Sequence, residues 1–87
     1  MVAPRVERGV ARIDDATIID LFATGRTGQN LDHFCLVVPA ADWEEMVEAR
    51  TVEVTRGPSK VFGARGTGVS VYTTDPDGNT VELRRYD

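Results

Sequence analysis

Polar and apolar positions alternate most clearly near the end of the chain. Val69–Thr74 and Thr80–Tyr86 are runs of β-branched and aromatic residues with a two-residue period, the signature of strands. Between them, Asp75-Pro76-Asp77-Gly78-Asn79 combines a proline that presets φ with a glycine able to take positive φ. This stretch predicts a hairpin. On its second arm Thr80, Glu82, Arg84 and Tyr86 share one face, while Val81, Leu83 and Arg85 share the other. A glutamate in mid-strand belongs either to a solvated outer face, the commoner case, or to a site with a partner.

Leu31–Val38 predicts another strand, ended by Pro39, with His33, Cys35 and Val37 on one side and Asp32, Phe34, Leu36 and Val38 on the other. Ala40–Arg50 predicts a short helix that Asp42 can cap. Its stripe of Trp43, Met46 and Val47 should cover one side of a sheet, away from Glu44, Glu45 and Glu48. Thr51–Thr55 alternates as a strand does. Arg56–Gly68 holds Gly57, Gly63, Gly66 and Gly68 beside Pro58, Lys60 and Arg65, and predicts a flexible basic loop. No Gly-Lys-Ser/Thr ending follows these glycines, which argues against a phosphate-binding loop.

The order from Leu31 to Tyr86 is therefore strand, helix, strand, strand, strand. Before it, Val10–Arg12 and Ala16–Phe22 surround Asp14-Asp15 as a second hairpin. Val2–Gly9 reads as a lead-in or edge segment, and the polar run Ala23–Asn30 as a connector. The expected fold class is α+β, with a partial module and connector over 1–29 and a βαβββ module with a mixed sheet over 30–87.

A chain of 87 residues makes one small domain whose own core is marginal, since at this size about 60–65% of the unfolded surface is buried. Association of two chains would relieve it. The 14 acidic against 10 basic residues, a net charge of −4, argue against a nucleic-acid partner and favour a small molecule or a protein. No apolar run is long enough to cross a bilayer, and Met1–Arg12 lacks the apolar centre of a signal peptide, so the sequence reads as cytoplasmic. The single cysteine, Cys35, rules out an intrachain disulfide and reads as a small packing group.

If the first and last strands of the module are neighbours, His33 and Glu82 converge. An imidazole nitrogen and a carboxylate oxygen suit a divalent ion of the Zn, Ni, Mn or Fe type, with open positions for water or substrate. A lone strand histidine is more often a hydrogen-bonded structural residue, so spacing leaves both readings open.

The element order, Asn30-Leu31-Asp32-His33-Phe34-Cys35-Leu36-Val37 and Tyr72-Thr73-Thr74-Asp75-Pro76-Asp77-Gly78-Asn79-Thr80-Val81-Glu82-Leu83 closely resemble the vicinal oxygen chelate superfamily of glyoxalase I, bleomycin and fosfomycin resistance proteins and extradiol dioxygenases. The resemblance covers Asn30–Tyr86. It implies a module that pairs with a second to form a cupped site, with His33 and Glu82 as metal ligands. By the same resemblance Thr17–Phe22 is similar to the last strand of a preceding module, with Asp20 at the position of Glu82.

A full preceding module needs more residues than stand before His33, and three arrangements follow from that. Two chains could pair their complete modules in a homodimer with a shared site. Strand exchange could bring Asp20 in as a third ligand. The chain could instead be a truncated, non-catalytic remnant. The resemblance implies a metal-dependent lyase, isomerase or dioxygenase acting on a small oxygen-rich substrate by bidentate chelation, or alternatively a metal-free, drug-sequestering binding protein.

Overall fold

The structure, a computed structural model, describes residues 5–7, 9–21 and 31–87. Two sheets result. The leading segment is an antiparallel meander of β1 (Arg5–Glu7), β2 (Val10–Asp14) and β3 (Thr17–Asp20), so the expected hairpin gains a short edge strand. The connector expected over Ala23–Asn30 lies outside the described residues.

The second sheet is built from β4 (Phe34–Val37), β5 (Arg56–Gly63), β6 (Gly66–Thr74) and β7 (Thr80–Arg85), in the order β4-β7-β6-β5. The helix α1 (Ala40–Glu48) connects β4 to β5. Strand β4 runs parallel to β7 and the other pairs are antiparallel, which makes the sheet mixed and the unit a βαβββ module of the expected class. Arg12 donates to the Ala64 carbonyl at 3.1 Å, a contact between the two sheets.

One face of this sheet is the core. Trp43 of α1 packs with Val71, Val81 and Leu83, with Met46, Val47, Val52 and Val54 around them, and its indole N–H donates to the Leu83 carbonyl at 2.9 Å. The apolar stripe read from the sequence is thus the stripe that covers the sheet. The other face carries Ser70, Tyr72, Glu82 and Arg84, because Ser70 stands opposite Arg84 and Tyr72 opposite Glu82. Asp75 closes the β6–β7 turn by accepting from the backbone N–H groups of Asp77 and Asn79.

Three local expectations are corrected. Asp42 does not cap the helix; Pro39 occupies the N-cap with no side-chain hydrogen bond, and Asp42 lies in the first turn, where it favours the helix dipole. Thr51–Thr55 is not a strand, because its alternation comes from Val52 and Val54 packing against the core rather than from pairing.

The stretch expected as a loop, Arg56–Gly68, is instead β5, a tight turn and the start of β6. Its glycines have places in a hairpin: Gly66 takes φ of 94° just after the Ala64-Arg65 turn, and Gly57 takes φ of 96° at a bulge. Among the described residues no helix is long and apolar enough to cross a membrane.

Candidate functional site

Parallel pairing of β4 with β7 sets Cys35 opposite Glu82, which brings His33, just before β4, beside that carboxylate. His33 Nε2 lies 2.9 Å from Glu82 Oε1, and its Nδ1 lies 2.6 Å from Asp32 Oδ2. The imidazole is thus held between two carboxylates. Its ring also meets Tyr72 edge to face, with centroids 5.5 Å apart.

Glu82 does not sit on a solvated face; it is 3% exposed. Burial of a carboxylate demands partners. Its second oxygen, Oε2, accepts from Ser70 Oγ and from Arg84 Nη2, each at 2.6 Å. Arg84 also donates through Nε to Ser70 Oγ at 3.1 Å and through Nη1 to the Tyr86 hydroxyl at 3.0 Å. Burial pushes the Glu82 pKa up, but the bonds from Ser70, Arg84 and His33 outweigh it, and the net shift is downward. For His33, burial lowers the pKa while Asp32 and Glu82 raise it, and the net shift is upward. With both ring nitrogens facing carboxylates, the ion-free imidazole is stabilised as the cation, donating on both sides.

The same geometry suits a divalent ion. A carboxylate on Nδ1 is the usual second contact of a metal-ligating histidine, since it keeps the proton there and leaves a lone pair on Nε2. Two donors 2.9 Å apart match the edge of a coordination octahedron with bonds near 2.1 Å, which is about 3.0 Å. Ser70 and Arg84 hold the far oxygen of Glu82 and leave Oε1 for the ion. The pair fits as part of a donor set. Among the described residues no group of three His, Cys, Asp or Glu side chains is placed to hold an ion. Asp20, paired with Val10 in the first sheet, is not brought together with His33 and Glu82.

Sequence reasoning found His33 and Glu82 and missed Asp32, Ser70, Tyr72 and Arg84 as their partners. The last two carried a signal: Arg84 shares the face of Glu82 by alternation, and the length of the turn fixes Tyr72 opposite it. Alternation alone puts Asp32 on the other side of its strand from His33, but regular strand begins only at Phe34, so alternation does not govern it.

No profile of a known protein family matches the chain. Over 54 residues it is 37% identical to a glyoxalase domain-containing protein of Mycosarcoma maydis, a match covering 60% of this chain and 31% of that protein. The chain resembles glyoxalase-like proteins. It spans less than a third of the length of that curated relative.

Solved structures agree with the fold. A protein from the mobile metagenome of V. pseudocholerae superposes with a TM-score of 0.53 at 28% identity, covering 90% of this chain and 67% of the other. An integron cassette protein of V. cholerae gives 0.52 at 27% identity, covering 90% and 68%. A virulence protein of Salmonella typhimurium gives 0.52 at 27%, covering 90% and 69%.

Proposed function

We propose that this glyoxalase-like chain forms half of a two-copy site. The His33 and Glu82 pairs of two copies together hold one divalent cation, at which a small substrate with two neighbouring oxygens binds. The observation that carries this reading is the approach of His33 Nε2 to Glu82 Oε1 with Asp32 behind the imidazole. Each chain supplies two donors, and a two-fold axis doubles them. The outer edge of β4 supports such pairing, since Phe34, Leu36 and Val37 are 43%, 50% and 52% exposed there.

When bound, the cation supplies Lewis acidity that stabilises negative charge on a substrate oxygen. The chain's own groups do the rest. Asp32 holds the Nδ1 proton, Ser70 and Arg84 keep Glu82 ionised and oriented, and the wall of Tyr72 limits water on one side of the imidazole.

A second reading, a metal-free binding protein for a small ligand, is favoured by one feature: Arg84 already balances the charge of Glu82 without an ion. Native mass spectrometry after exposure to Zn, Ni, Mn and Fe(II) separates the two. A two-chain species holding one metal, lost in His33→Ala, supports the metal site. Metal-free species with all four ions would overturn it in favour of the second reading.

A further inference from the structure

Between Arg56 and Ser59, β5 carries one residue more than β6 sets against it: Arg56 stands opposite Tyr72 and Ser59 opposite Ser70. Residues three apart on a regular strand face opposite ways, whereas cross-strand partners face the same way. The bulge therefore moves Arg56 onto the face of Tyr72 and Glu82, a face that regular pairing would deny it. Gly57 makes this route available. It takes φ of 96°, and a Cβ there would lie 2.6 Å from the Ser70 carbonyl oxygen.

Once on that face, the Arg56 guanidinium lies 4.0 Å from the centroid of the Tyr72 ring, and the same ring meets His33. Stacking on an aromatic ring holds the planar guanidinium in one orientation while its N–H edges remain available for a planar anion. An open depression of about 270 Å³ is lined by Asp32, Thr55, Arg56, Tyr72 and Thr80. Of these, Asp32 already meets His33 Nδ1 at 2.6 Å. The other basic residues of β5 and its turn are placed elsewhere. Lys60 pairs with Val69 and shares the helix-covered face, and Arg65 stacks on Tyr86.

We propose that Arg56, stacked on Tyr72, is the docking point for an oxyanionic group of the substrate, a carboxylate or a phosphate. The substrate is then a small acid whose anionic end sits on Arg56 while its neighbouring oxygens reach His33 and Glu82. This rests on the reading of that pair as the reacting end of the site. A guanidinium fork matches two oxygens of either group.

The test is made on chelator-treated protein at low ionic strength, titrated with succinate and with inorganic phosphate by calorimetry. The native chain is compared with Arg56→Gln, Arg56→Lys and Lys60→Gln. Saturable binding is expected, weakened about tenfold or more in Arg56→Gln, as for loss of a charged hydrogen-bonding partner. Arg56→Lys, which retains the charge without the fork and guards against a folding defect, should fall between. Lys60→Gln should bind as the native chain does. Tighter succinate binding assigns the subsite to carboxylates, and tighter phosphate binding assigns it to phosphates.

Equal binding by native and Arg56→Gln protein, equal weakening by Lys60→Gln, or no saturation with either anion overturns the proposal. Because the titration uses no metal, its failure is separable from failure of the metal reading. Metal held in the native mass spectra with no anion binding in the titration ends the subsite alone, and anion binding by a chain that takes up none of the four ions ends only the chelate reading.

Discussion

Arg84 occupies the space that a side chain at Gly63 would fill. A Cβ built on Gly63 overlaps the Arg84 guanidinium, and one on Gly68 would come within 3.0 Å of Arg84 Cγ. The buried arginine crosses β6 and reaches β5 because these two positions lack side chains.

Gly63→Ala is therefore expected to dislodge Arg84 from Glu82 and to destabilise the fold by about 2–4 kcal/mol, as overpacking and a disturbed buried ion pair do. Gly66→Ala is a useful contrast. Nothing lies within 4 Å of a Cβ there, and the loss should be about 1 kcal/mol, from positive φ alone. Urea denaturation of both variants checks the order, and a native midpoint in Gly63→Ala would contradict the placement of Arg84.

Ser70 and Arg84 act on the same oxygen of Glu82 and bond to each other, so their effects should not add. Arg84→Met leaves a buried carboxylate short of its cation and should cost about 3 kcal/mol; Ser70→Ala should cost about 1–2 kcal/mol. The double variant should depart from the sum of the singles by about 1 kcal/mol. Simple additivity in a denaturation cycle would show that the network does not act as a unit.

The two shifted pKa values bound a window of pH stability. Glu82 is shifted down, so its contribution is present above its ordinary value of 4.5 and is lost as pH falls through the lowered value. His33 is shifted up, so its contribution is present below its ordinary value of 6.5 and is lost as pH rises through the raised value. Melting temperature in the absence of metal should peak between these limits. His33→Asn should flatten the alkaline side and leave on the acid side the part of the dependence that Ser70 and Arg84 supply to Glu82, and an unchanged alkaline slope would refute the contact.

Cys35 stands opposite Glu82 on an exposed edge strand, and partial desolvation of its thiol, followed by the nearby carboxylate, pushes its pKa up to about 11. Alkylation by iodoacetamide should be slow at pH 8 and approach half its limiting rate near pH 11. Glu82→Gln should move that midpoint down. A thiol reacting at the rate of a free cysteine at pH 8 would place it elsewhere.

Much of the frame was legible in the residues. The Asp75–Asn79 turn, the two faces of Thr80–Tyr86, the Trp43 stripe and the strand before Pro39 all follow from local periodicity and turn chemistry, and all are present. Arg56–Gly68 was the segment that misled. Glycine density there looks like a loop, yet Gly57 makes a bulge, Gly66 completes a turn, and Gly63 and Gly68 make room for Arg84. Each role depends on a segment far away in the chain.

By itself the sequence determined the two faces of the Thr80–Tyr86 strand and which residues, His33 and Glu82, could meet. The tertiary structure decided that they do meet, through the parallel pairing of β4 with β7. It also buried Glu82 among Ser70 and Arg84, and it turned Arg56 onto the same face. Alternation records a residue's side of its own strand, whereas neighbours across a sheet depend on strand order, register and bulges, which only contacts between distant segments set.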